Sequence, residues 1–594
     1  MTTATLPRPA HRATPTPASA PAPEAPRLTG ADIFVKSLEA EGVEFVFGHP
    51  GGAIIKIYDA FAQLRPSFQH ILVRHEQAGT HAAEGYAKAT GKVGTVLVTS
   101  GPGATNTVTG IADAMLDSVP LVVFTGQVAV PLIGGDAFQE VDTMGVTRSV
   151  SKHSFQVRSA ADLAPTIKAA YHIARTGRPG PVVVDLPKDI LVEEAAFEYP
   201  ESVELRGYRY EHPPQPEKVE RAARMIRQSE RPLLYVGGGT VSSGASGALT
   251  DLARTARIPV TTTLHGLGAF PETDELALGM LGMHGTYWAN MAVQTCDLLI
   301  AVGARFDDRV TGKLEAWAPH AEVIHIEIDP SCVSKNVFAD CAILGDVGEV
   351  LAQLAPHVEP KDTDAWLDRI AEWRRQVEEP ADDTPDDGRL RPLDVVQKLG
   401  ARAGSRGVLT TDVGQHQMWA AQGFGFERTR SHITSGGLGT MGFGFPAAIG
   451  AALGLRDTDA VVVSINGDGG FLMNCQELGV AAKHRLPIKL AILNNSRLGM
   501  VRQWQELFFG ERYSETDTSD TNPDFVALAE AFGCVGLRAS TPDEADAVIA
   551  QAWEVHDRPV LMEFVVPNEE MVFPMVPAGA ATDNMILKRF APGE

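Results

Sequence analysis

Residues 467–495 read GDGGFLMNCQELGVAAKHRLPIKLAILNN. An apolar, β-branched run precedes them at 460–465 and a second closes them at 488–493, each with the composition of a strand buried on both faces. Between the two runs, 471–483 predicts one helix. Asp468 therefore stands at the carboxyl end of a strand, among glycines, Gly469 included, that admit close backbone approach. The helix start that follows attracts phosphate through its free N–H groups and its dipole. Asn495 ends the next strand on the same rim of a parallel sheet. A carboxylate and an amide oxygen beside a phosphate site are hard ligands, a set that suits Mg2+ together with phosphate oxygens and water. An isolated Gly-Asp-Gly is most often only a tight turn. The order strand, GDG, helix, strand, NN is what points to a cofactor cradle.

The rest of the chain is long enough, at 594 residues, for several domains. Its formal charge of −23 argues against nucleic acid or an anionic membrane as the main partner, while cationic side chains in a cleft still admit an anionic substrate. Cys296, Cys332, Cys341, Cys475 and Cys534 are odd in number and form no CxxC pair. That pattern suits reduced thiols rather than a disulfide framework or a zinc site. No apolar run reaches the length of a membrane span, and a cytoplasmic protein is expected. Residues 1–27, rich in Pro, Ala and Thr, lack the apolar core of a secretory signal and predict a disordered extension. Arg8 and Arg12 alone give weak support to an organelle transit peptide.

From Thr29 onward helix and strand signals alternate, which predicts the α/β class with doubly wound parallel sheets. Composition shifts divide the chain into blocks at 28–192, 217–350 and 392–567, joined by linkers at 193–216 and 351–391. A tail, 568–594, follows and is too irregular to be a core element. Gly237-Gly-Gly239 follows a predicted strand and could approach a pyrophosphate, although alone it is a weak signal.

Residues 73–106, VRHEQAGTHAAEGYAKATGKVGTVLVTSGPGATN, resemble the pyrimidine-domain segment of the acetohydroxyacid synthase (acetolactate synthase) family of thiamine-diphosphate enzymes. The GDG…NN stretch resembles the diphosphate motif of the same enzymes, and the likeness extends from about residue 28 to the end. It implies a pyrimidine-binding domain at 28–192, a central FAD-binding domain at 217–350, a diphosphate- and Mg2+-binding domain at 392–567, and a tail that covers the site. By this resemblance Glu76 hydrogen-bonds N1′ of the aminopyrimidine and activates the cofactor, and Gly52 touches the same ring. Gln415 and His416, in DVGQHQMW, reach the diphosphate. Gly439 and Met441, in SGGLGTMG, lie against the cofactor, with Met441 holding its bend. Asp468, Asn495 and the backbone carbonyl of Arg497 hold the metal.

The same resemblance places Phe138 and Gln139 in the substrate pocket, Lys188 at the channel mouth, and Trp504 over the acceptor. Arg309, in RFDDR, would pair with the carboxylate of the second keto acid, a task that suits a planar bidentate donor. Arg178, Gly237, Gly238, Gly239, Gly282, Met283, His284, Gly303, Arg305, Asp329 and Asp346 would bind a structural FAD. The implied reaction decarboxylates pyruvate and joins the two-carbon unit to a second pyruvate or to 2-ketobutyrate. Its products, 2-acetolactate and 2-aceto-2-hydroxybutyrate, lead to valine, leucine and isoleucine. A homodimer or homotetramer and a small regulatory subunit are implied as well. Another thiamine-diphosphate decarboxylase, oxidase or carboligase, or a non-catalytic paralogue, stays open. His49, Thr80 and Gly135 depart from common family residues without removing a catalytic group.

Overall fold

The computed structural model describes residues 26–213, 215–378 and 388–587. The expected disorder of the first 25 residues lies outside them. Arg27–Thr29 forms a short antiparallel ribbon with Glu194–Ala196, so order begins inside the stretch expected to be disordered.

The β-branched runs form strands that need cover on both faces, and they assemble into three six-stranded sheets, each wholly parallel. The first contains β1 (Phe45–His49), β2 (Gln69–Leu72), β3 (Gly94–Val98), β4 (Leu121–Gln127), β5 (His153–Gln156) and β6 (Pro181–Pro187). The second contains β7 (Pro232–Val236), β8 (Val260–Thr262), β9 (Ala277–Met280), β10 (Leu298–Val302), β11 (Glu322–Glu327) and β12 (Cys341–Leu344). The third contains β13 (Gly407–Thr411), β14 (His432–Ile433), β15 (Val461–Gly467), β16 (Lys489–Asn494), β17 (Val535–Ala539) and β18 (Val560–Val565). The first sheet runs β2-β1-β3-β4-β6-β5, and the third runs β14-β13-β15-β16-β18-β17, the same topology repeated. The middle sheet runs β9-β8-β7-β10-β11-β12, the strand order of dinucleotide-binding domains.

The two alike domains share one core. Phe45, Phe47 and Tyr86 from the first pack in the same cluster as Phe443, Phe445 and Phe471 from the third. The helices α1 (Glu76–Thr90) and α3 (Gly444–Gly454) cross at their backbones. A Cβ at Gly450 would sit 1.7 Å from the Ala82 carbonyl, and one at Gly85 would sit 2.0 Å from that of Ala447. Between them in sequence, α2 (Val108–Asp117) packs against α1.

One expected helix is broken, and one stretch read as a helix-prone linker packs against a domain. The single helix predicted over 471–483 is broken into Asp468–Leu472, a 3-10 turn at Cys475–Glu477, and Leu478–Lys483. Asn474 leaves the helical region (φ −136°) so that its amide can donate to the Gly442 carbonyl at 2.7 Å. That contact across the site replaces a helical turn. The stretch 351–391 contains a helix, Asp364–Glu378, whose Trp366, Ile370 and Trp373 lie on one face by their spacing. They are buried with Tyr235, Phe306 and Trp317 of the middle domain.

Among its described residues, 568–587, the tail forms no helix or strand, yet Val572, Met575 and Val576 are buried. Gln503 brackets Val572, accepting its N–H at 2.8 Å and donating to its carbonyl at 3.1 Å, and Val576 donates to the Met283 carbonyl at 2.8 Å. The tail thus fastens the third domain to the second.

Candidate active site

In an open parallel sheet a crevice forms at the carboxyl ends of the strands where the strand order reverses. In the first sheet this point lies between β1 and β3, at Gly51-Gly52 and Ser100-Gly101. Gly101 is left-handed (φ +57°), and a Cβ there would meet the Gln139 carbonyl at 2.8 Å. Glu76, the first residue of α1, accepts a hydrogen bond from the Asn106 amide at 2.9 Å. Gln139 has φ +58° and its neighbour Phe138 is 88% exposed. Lys188 follows β6 directly. Gly52, Glu76, Phe138, Gln139 and Lys188 therefore share one rim.

The third sheet reverses between β13 and β15, where Asp412–His416 face Gly467–Gly470. Asp412 is fully buried and accepts N–H groups from Val413, Gly442 and Gly444 at 2.7, 3.0 and 3.3 Å. It pins the loop carrying Met441 to the end of β13. Burial raises its pKa to about 6, against those N–H groups. His416 is buried, which lowers its pKa to about 3 and keeps the ring neutral. Its Nε2 has no hydrogen-bond partner. Asp468 accepts from Thr518 Oγ1 at 2.8 Å and Asn522 Nδ2 at 2.7 Å, with burial raising its pKa against them. Asn495 donates to Gln415 Oε1 at 3.3 Å and accepts the Arg497 N–H at 3.1 Å across Ser496, which is left-handed at φ +52°. Gln415 itself donates to Gln503 and to the Glu570 carbonyl, both at 2.9 Å. The Met441 methyl reaches 4.0 Å from a Cβ position at Gly469. A diphosphate fits this cradle: a buried imidazole nitrogen lacks a partner beside two hard oxygen ligands.

The middle sheet reverses between β7 and β10, where Gly237–Gly239 face Gly303–Arg305. A Cβ at Gly237 would stand 2.3 Å from the Gly303 carbonyl, and Gly303 is itself left-handed (φ +58°), so the two turns touch by backbone alone. A cavity of about 800 Å3 opens here. Arg178, Gly237–Gly239, Met283, His284, Gly303, Arg305 and Asp346 border it, and it runs on to Arg309, Gly439 and Trp504. Arg178 is held by Ser118 at 2.8 Å and Asp329 at 3.3 Å. Asp346 also caps the helix Val347–Leu354. Asp329 and Gly282 do not border it. An elongated dinucleotide fits this groove, since bare backbone and an arginine meet at the sheet's switch point.

The structure thus joins Arg309, Trp504, Gly439 and most of the expected FAD residues in one cavity. The cradle of Gln415, His416, Asp468 and Asn495 begins next to its Val413–Gly414 end. The first-domain set of Gly52, Glu76, Phe138, Gln139 and Lys188 does not border it.

Several contributors escaped the sequence reading. Glu477 is buried and accepts the backbone N–H groups of Arg74 and His75 at 3.0 and 3.1 Å, just ahead of Glu76. Thr518 and Asn522 orient Asp468 from fifty residues away. His81, Glu84 and Asp113 form a fully buried cluster, with His81 Nδ1 2.9 Å from Glu84 Oε1. Burial drives both carboxyls well up, and the Lys88 charge acts on all three residues.

Comparison with known proteins agrees with this geometry. Residues 28–146 match the thiamine pyrophosphate enzyme N-terminal TPP binding domain, 219–354 the central domain, and 412–564 the C-terminal TPP binding domain. The chain is 48% identical over 571 residues to the acetolactate synthase of Mycobacterium bovis, across 94% of this chain and 91% of that one. It is 50% identical over 570 residues to the acetolactate synthase large subunit of Parasynechococcus marenigrum, with coverage of 94% and 91%. With the large subunit of Haemophilus influenzae the identity is 45% over 571 residues, with coverage of 95% and 99%. With these three domains in this order and relatives alike over nearly the whole chain, the protein belongs to the acetolactate synthase family of thiamine pyrophosphate enzymes.

Proposed function

We propose that this chain is the catalytic subunit of an acetolactate synthase, decarboxylating pyruvate and condensing the two-carbon unit with a second pyruvate or with 2-ketobutyrate. The observation that carries this reading is that all three switch points hold a cofactor motif, with Arg309 and Trp504 on a cavity running between two of them. Thiamine diphosphate, when bound, supplies the ring that accepts electrons as CO2 leaves. Gln415 and His416 would bind its diphosphate, Asp468, Asn495 and the Arg497 carbonyl would hold Mg2+, and Met441 would pack against the cofactor. Glu76 holds the proton at the aminopyrimidine N1′. Arg309 orients the acceptor through its carboxylate, with Trp504 closing the pocket over it. The Gly237–Gly239 groove would hold FAD as a structural group.

The residues on the first-domain rim stand apart from the cavity, which suits a site completed by a second copy of the chain. Glu76, Gln139 and Lys188 of one copy then meet the cradle of the other, and the active unit is a homodimer or a dimer of dimers. A small regulatory subunit and a cytoplasmic location fit the same assignment. Among the described residues no helix is long and apolar enough to cross a membrane. The test is incubation of the purified protein with pyruvate, thiamine diphosphate, Mg2+ and FAD. Formation of 2-acetolactate is expected. A protein that makes none, or that yields acetyl phosphate when given phosphate and oxygen, overturns the assignment.

A further inference from the structure

We propose that Asp117 is a positioning residue for the thiamine-diphosphate site, acting with Lys88 and His265 to set the backbone of loop 435–439. This deepens the cofactor reading above and rests on it. Asp117 ends α2 in the first domain, and its side chain is fully buried. Its two oxygens take four donors from all three domains. Oδ2 accepts from Lys88 Nζ at 2.6 Å and from the Gly436 N–H at 3.2 Å. Oδ1 accepts from the Gly437 N–H at 2.7 Å and pairs with His265 Nε2 at 2.8 Å. Burial alone would favour the neutral acid, but His265 and Lys88 outweigh it and hold the carboxyl well below the usual range, so the charge is kept.

The loop is shaped around this charge. A Cβ at Gly436 would fall 2.4 Å from His265 Nε2, and one at Gly437 would fall 2.8 Å from Asp117 Oδ1. One turn earlier on α2, Asp113 Oδ1 accepts the Ser435 hydroxyl at 2.6 Å, and that hydroxyl in turn accepts the Thr440 N–H at 2.8 Å. Two carboxyls on one face of α2 thus hold both ends of the segment that leads into Met441. Asp117 also borders the cavity, as do Gly436 to Gly439. Nothing in this set bonds to the cradle directly. Its effect on the cofactor passes through the backbone it fixes, which defines a positioning role.

The test is binding of thiamine diphosphate, measured by calorimetry with Mg2+ on full-length protein dialysed free of it. In Asp117→Asn the amide donor stands opposite Lys88 Nζ and the Gly436 N–H, donor against donors. Affinity is expected to fall about tenfold or more, as for loss of one charge-assisted hydrogen bond. At saturating cofactor kcat should recover most of its wild-type value, which general unfolding would not allow. Ser435→Ala removes the second tether without disturbing a charge, should weaken binding in the same direction by a few-fold, and decides the matter if Asp117→Asn does not fold. Wild-type affinity in both variants overturns the positioning role, provided that Asp468→Asn loses the cofactor alongside. A wild-type protein that takes up no thiamine diphosphate overturns the cofactor reading and this role with it.

Discussion

Glu477 makes the connection between the two alike domains that bears most directly on Glu76. Its Oε1 accepts the Arg74 and His75 N–H groups at 3.0 and 3.1 Å, and Oε2 accepts the former at 3.2 Å. Burial raises its pKa to about 7 against these donors. Glu477→Ala strands both N–H groups ahead of α1, at roughly 1–3 kcal/mol each once unsatisfied. A total of about 2–6 kcal/mol follows, shared between stability and the placement of Glu76. Glu477→Gln keeps Oε1 as acceptor for both and loses only the longest contact, for about 1 kcal/mol or less. Because Glu477 does not border the cavity, KM for pyruvate should barely move in either variant. Steady-state kinetics and thermal melts then have a defined outcome. The alanine variant should lose about tenfold or more in kcat, since about 1.4 kcal/mol corresponds to tenfold, and should melt lower, while the glutamine variant stays within about threefold of wild type. An alanine variant with wild-type kcat and melting temperature would refute the claim that this carboxyl holds the Glu76 turn.

Other expectations follow from the same geometry. Glu76→Gln should cut kcat by at least about a hundredfold, as for loss of an acid–base group, with melting temperature and FAD content unchanged, checked by kinetics and flavin absorbance. Gly450→Ala drives a Cβ to 1.7 Å from the Ala82 carbonyl, and since backbone cannot rotate away, a loss of about 3 kcal/mol is expected in denaturant unfolding. Glu272, half-buried with its carboxylate accepting the Phe426 N–H at 2.8 Å, has its pKa raised by desolvation from the ordinary 4.5 to about 7. Between those values the native state keeps a proton that the unfolded chain has lost. Its contribution to stability is therefore full below pH 4.5, declines as pH rises through that window, and levels off above about 7, a swing on the order of 3 kcal/mol. Glu272→Gln retains the acceptor and should flatten that part of the stability–pH curve measured by urea unfolding.

The features legible in the sequence are those written in short range. The strands β15 and β16 were readable from the apolar, β-branched runs at 460–465 and 488–493. The cradle was readable because strand, GDG and NN are consecutive. Long-range pairing was invisible. Glu477 reaches Arg74 across 403 positions and Lys88 reaches Thr434 across 346, and before folding each looks like an ordinary charge on a helix. The same cause broke the predicted 471–483 helix, because Asn474 obeys the Gly442 carbonyl rather than local propensity. The helical propensity of 351–391 was legible, but not that Trp366, Ile370 and Trp373 would bury one face of Asp364–Glu378 against the middle domain.

The most direct measurement of the central claim, one active site built from the switch points of two copies, is complementation. Glu76→Gln lacks the activating acid and Asp468→Asn the metal ligand, so each alone should be inactive. Mixed, unfolded and reassembled together, they form mixed dimers in which one site combines the intact first domain of one copy with the intact third domain of the other. Random pairing makes about half the dimers mixed, each with one good site of two, so about one quarter of wild-type acetolactate production should return. A mixture as inactive as its components, with mixed dimers demonstrated by differential tagging, would place the whole site within one chain and contradict the account.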